Sequence, residues 1–124
     1  MIYDKFPQKA MEIGGIDIVG VVSKKQQTAV IYSGYKALKK YYGGGRDMSI
    51  VLQITGLAGL DEQKELTLKL CGIMDRLVKA KWEIPGAQNI RCRPGNFPVP
   101  TVKNEHFWIY SCSVNITFYT KEEF

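Results

Sequence analysis

A single histidine, His106, stands in 124 residues, and cysteine occurs only at Cys71, Cys92 and Cys112. One histidine excludes an acid–base pair of histidines, and a Ser–His–acid triad would have to be built on His106. Glu105 precedes it, but successive strand residues point to opposite faces, so His106 reads as an exposed residue at the start of a strand. The cysteines are odd in number, widely spaced and free of any Cys-x-x-Cys pair, which argues against a disulfide framework. With one histidine they cannot supply four close zinc ligands. Each falls among apolar neighbours and reads as a small buried hydrophobe. Asp17, Asp47, Asp61, Glu62, Glu65 and Asp75 gather at no spacing that suits a calcium loop or a glycosidase pair. No apolar run approaches the roughly 20 residues of a membrane span. The first stretch, "MIYDKFPQKAMEIGG", lacks the basic-then-apolar order of a secretory signal. No catalytic residue, cofactor or metal is therefore assigned; the expectation is a non-enzymatic intracellular protein without a membrane segment.

What is present is a modest positive charge, formally +5, carried by small groups of cations. Lys24 and Lys25, Lys36 with Lys39 and Lys40, Lys79 and Lys81, and Arg91 with Arg93 are such groups. None forms a run of five or more, and most read as a solvated face. They still permit attraction to a polyanion or an acidic surface. A small basic nucleic-acid-binding module using Lys36, Lys39, Lys40, Arg91 and Arg93 is the alternative to the reading developed below. Gly43-Gly44-Gly45-Arg46 resembles a phosphate loop only in glycine content. It lacks the Gly-Lys-Ser/Thr ending and leads into a strand where a helix is required.

The length suits one domain, residues 1–124. "IDIVGVV" (16–22) and "QQTAVIYS" (26–33) read as strands, Ser33-Gly34-Tyr35 as a turn and "KALKKYY" (36–42) as a lysine-guarded edge strand. The triple glycine turns the chain into Met48, Ile50, Leu52 and Ile54, which alternate as a half-buried strand does. The end of the chain repeats that alternation: Trp108, Tyr110, Cys112, Val114, Ile116 and Phe118 fall on one face. Phe107, Ile109 and Tyr119 fall on the other, so that side also needs cover, from another subunit or from the chain's own N-terminal segment. Between these strands one helix is predicted over 61–81, capped by Asp61, with Leu66, Leu70, Ile73, Met74 and Leu77 in a stripe. "NIRCR" (89–93) reads as a short strand with Arg91 and Arg93 outward. The proline-rich segment 93–105 reads as an ordered loop and contact arm. The expected fold is α+β: a mostly antiparallel sheet with one long amphipathic helix packed on one face.

Residues 31–123 resemble the tail-terminator family of tailed bacteriophages, whose members are often called minor capsid proteins. The carriers are the Lys39-Lys40-Tyr41-Tyr42-Gly43-Gly44 turn, the strand Met48 to Thr55, the amphipathic helix, the proline-rich loop and the Asn104-Glu105 entry to a long last strand. The resemblance implies a structural virion protein of the tail, assembled in the host cytoplasm. It implies a homo-oligomeric ring, commonly hexameric, that caps the tail tube and receives the head–tail connector, with DNA passing through its opening. Many members open with an amphipathic helix, whereas this chain reaches strand-like sequence early. Residues 1–15 are accordingly expected as an extended arm that orders on assembly. The assembly contacts implied are Tyr41, Tyr42, Gly43, Gly44, Arg46, Arg93, Asn96, Phe97 and Lys103, facing the tail tube protein and the connector.

Overall fold

The structure, a computed structural model, describes residues 2–103 and 105–121. Met1, Asn104 and residues 122–124 lie outside it, and with them one half of the Asn104-Glu105 pair. After a 3-10 turn at Ile2–Asp4 the elements are α1 (Lys5–Gly14), β1 (Ile18–Val19), β2 (Thr28–Lys40), β3 (Arg46–Gly59), α2 (Gln63–Lys79), β4 (Ala87–Pro94), β5 (Val99–Lys103) and β6 (Phe107–Thr120). They build one mixed sheet in the order β1-β2-β3-β6-β4, with β5 also paired to β6. Only the short β1–β2 pair is parallel among these pairings.

β3 and β6 are the spine. Ile50 faces Ile116, Leu52 faces Val114 and Ile54 faces Cys112 across the pair. All six are buried on the same side, so two alternating sequences merge into one apolar surface.

The cover of that surface corrects the expectation of one long helix. Two short helices share it. α2 is 17 residues, so it runs about 25 Å and spans about 10 Å of width, too little for the sheet. It turns Leu66, Leu70, Ile73 and Leu77 onto the sheet, each fully buried. α1 covers the remainder and replaces the extended arm expected over residues 1–15. Its Phe6 is fully buried, 4.6 Å from the Phe118 ring and 6.2 Å from Trp82. Phe6, Ala10 and Gly14 fall on one helical face, and Pro7 sits in the first turn, where a missing N–H costs nothing. Arg76 Nη2 donates to the Gly14 carbonyl at 2.7 Å, tying α2 to the end of α1. Gly15, at φ 68°, ends α1 in the left-handed conformation that glycine allows.

Smaller departures have local causes. Glu62, not Asp61, occupies the cap position of α2, and its carboxylate accepts the Gly59 N–H. The strand expected over 16–22 shrinks to β1, because the chain leaves the sheet at Gly20, φ 137°. It then folds over the other face, where Val22 packs with Ala29 and Leu57, and beside Phe107 and Ile109. The chain itself therefore covers that end of the outer side. Ser33-Gly34-Tyr35 is no turn: β2 runs through it with a register shift between Tyr32 and Gly34. The proline-rich segment contains β5, whose Pro100 is tolerated because the strand lies at an edge. Of the cysteines, Cys112 is buried, Cys92 half-buried and Cys71 exposed on α2.

Candidate functional site

The hairpin between β2 and β3 is held by backbone and side chain together. Tyr41 N–H donates to the Gly45 carbonyl at 2.8 Å, and Gly44 N–H donates back to Tyr41 at 3.2 Å. Gly44 takes φ 89°, a value that favours glycine. The Tyr41 hydroxyl donates to Asp47 at 2.8 Å, its ring meets Tyr119 edge-on at 5.8 Å, and Lys39 Nζ lies 5.0 Å above it. A side chain at Gly45 would run into the Tyr119 ring. The hydrogen bond to Asp47 holds the Tyr41 phenol above its ordinary pKa, and the charge of Asp47 adds to the rise. Beyond this latch Tyr42 projects fully into solvent.

The second candidate region interrupts a strand. β4 and β5 lie along the same edge of β6, β4 against 114–120 and β5 against 108–111. They would be one strand if the chain did not bulge at Gly95 and Asn96, which still bond to Ser113, and leave the pairing at Phe97 and Pro98. Gly95 N–H donates to the Ser113 carbonyl at 2.8 Å, Ser113 N–H donates to Asn96 at 3.0 Å, and Asn96 N–H donates to Ser113 Oγ at 2.8 Å. A Cβ at Gly95 would press on the Ser113 backbone. The excursion thrusts Phe97 outward, 69% exposed, over an apolar groove of about 140 Å³ between Pro94 and Cys71, Met74 and Val78 of α2. A cavity of about 150 Å³ holds a benzene ring, so the groove suits one apolar side chain.

The expected contact residues do not form one site. Tyr41, Tyr42, Gly43, Gly44 and Arg46 gather at the hairpin, where Arg46 pairs with Thr120. Lys103 lies at the far end, its ammonium 4.5 Å over the Trp108 ring. Trp108 and Thr120 are separated by about 40 Å of extended strand. Arg93, Asn96 and Phe97 fall between these ends. His106 is exposed just before β6.

Both edges of the sheet resist further pairing. Beyond Val30, β2 has no strand beside its outer edge among the described residues, yet it carries two register shifts and Lys36, Lys39 and Lys40. The β4–β5 edge has its own shifts and three prolines, Pro94, Pro98 and Pro100. Such devices discourage strand addition. Apolar side chains are exposed at both edges nonetheless. Tyr35, Leu38 and Tyr42 are exposed along and just beyond β2, and Phe97, Val99 and Val102 along and just before β5; each set is taken as one patch. Tyr42 and Phe97 are among the contacts expected from the sequence, and Val99 and Val102 lie in the segment 93–105 expected as a contact arm. Tyr35 and Leu38 are not, because their stretch shows no strict alternation.

No family model matches the chain, and no curated protein matches it in sequence.

Proposed function

We propose that the protein is a structural subunit that joins copies of itself into a ring, and that the ring is a bacteriophage tail terminator. It caps the tail tube, meets the head–tail connector and leaves an opening for DNA. The observation that carries the ring is the pair of unlike apolar patches on opposite edges of the sheet. Exposed apolar patches of this kind mark interaction surfaces. Patches on opposite edges of the sheet do not fall within one two-fold contact surface; used head to tail they give a closed ring or a filament. Tail termination has its own support. The element order resembles that family, and α1 supplies the opening amphipathic helix that many members have. The hairpin tip and the β5–β6 turn stand at opposite ends of the long strands, as loops would that meet one partner below and another above. No reaction is assigned to any residue.

Light scattering of the purified protein, alone and with a tail-tube protein, tests this reading. A ring mass is expected, either spontaneously or once tube protein is added. A chain that stays monomeric at high concentration and binds no tail component overturns it.

A further inference from the structure

One face of the sheet carries cations that nothing else in the fold uses. Strand register sets Lys36 beside Ser49, Ser49 beside Thr117 and Thr117 beside Arg91. The next row is Gly34, Val51, Asn115 and Arg93. Ile50, Ile116 and Cys92 belong to the core under the helices, so their neighbours Ser49, Thr117, Arg91 and Arg93 point the other way. At ordinary strand spacing Lys36 and Arg91 are about 14 Å apart. Among the described residues, Lys36, Arg91 and Arg93 have no carboxylate partner. The Gly20–Gln27 segment covers only the opposite end of this face.

We propose that this face binds the phosphate backbone of double-stranded nucleic acid without regard to sequence. The cations flank Ser49, Thr117 and Asn115, whose hydroxyl and amide groups are neutral donors to phosphate oxygens, with Val51 among them. In the adjoining row the Asp47 carboxylate is held by the Tyr41 hydroxyl and lies beside Lys39. An acidic protein strand fits less well, since it would add at an edge and both edges are blunted. Single-stranded nucleic acid also fits less well, because it needs open aromatic platforms for its bases. Tyr119, two residues beyond Thr117 on the same face, is met edge-on by Tyr41, which leaves Phe97 as a single exposed ring beside Val51 and no series of rings. The proposal goes beyond the assembly reading and does not rest on it, because an isolated subunit presents the same face.

The test is fluorescence anisotropy of the whole chain with a short duplex of mixed sequence. Three neutralised phosphates predict a slope of about −2.7 in log K against log salt, an affinity loss of about forty-fold between about 50 and 200 mM. Lys36→Ala, Arg91→Ala and Arg93→Ala each lower that slope by about one. Lys64→Ala, on the exposed side of α2, leaves it unchanged. All four residues are exposed, and circular dichroism verifies that each variant is folded. Absence of duplex binding at about 50 mM salt overturns the proposal, and so does a slope that the triple variant leaves intact. Polyglutamate binding that depends on the same cations, with no duplex binding, identifies an acidic protein partner and overturns it equally. Loss of duplex binding with rings intact sinks this proposal alone; monomers that bind duplex sink the ring alone.

Discussion

At the scale of single residues, the thiols and one phenol report the packing directly. Burial pushes the Cys92 and Cys112 thiols up to about 12. At pH 8 about one in ten thousand of each is thiolate, the form that reacts. A thiol reagent is therefore expected to modify exposed Cys71 promptly, and Cys92 and Cys112 only as the chain unfolds. Mass spectrometry of the labelled peptides checks the order. The sign for stability follows from the same rise. An acid whose pKa is raised by folding favours the folded state fully below its ordinary value, here 9.0, and loses that contribution as pH climbs toward 12. Comparing Cys112→Ala with the parent in urea should show their difference shrinking across that window. Tyr41 titrates late for another reason: its proton is shared with the Asp47 carboxylate. Asp47→Ala should bring the Tyr41 ring signals in an NMR titration back toward those of an ordinary tyrosine.

At the scale of elements, α1 decides between an assembly-dependent arm and part of the core. Phe6→Ala should cost about 3–5 kcal/mol in the isolated protein, read as a lower urea midpoint. An arm that orders only in a ring would leave the midpoint where it was. Gly95→Ala tests the β4–β5 excursion. The neighbouring Ser113 atoms include backbone, which yields little, so a loss of about 1–3 kcal/mol is expected. These elements also mark how far the sequence was legible. β3, β6, the glycine turn and the buried stripe of α2 could be read because each is a local period or a local turn. α1 was hidden by Pro7 and by glycines at its end, although Phe6, Ala10 and Gly14 keep helical spacing. β5 was hidden because three prolines argue against a strand unless its edge position is known. For the candidate site, the hairpin residues were legible as a turn. Lys36, Arg91 and Arg93 stand out in the sequence as a basic group, but their place in adjoining rows of one sheet face was not legible, because only the pairing of four strands brings those distant positions together.

At the scale of the whole molecule, unlike patches on opposite edges make a claim about symmetry that can be tested by mixing. Leu38→Ser with Tyr42→Ser removes the two most exposed side chains of the β2 patch, and Phe97→Ser removes the rim of the α2 groove. All three side chains are at least half exposed, so the monomer should keep its stability. Under conditions where the parent forms rings, each variant alone should be monomeric, since every junction needs one patch of each kind. Mixed in equal amounts, the two retain one good β2 patch and one good groove between them. They should therefore form a dimer of one copy of each and stop there, because the remaining ends are both damaged. In that dimer Cys71, which lines the groove, should become slow to label on one partner only. Light scattering and the labelling pattern read the outcome together. If either variant still closes rings, or if the mixture stays monomeric, copies do not meet through these two patches, and the head-to-tail ring loses its footing.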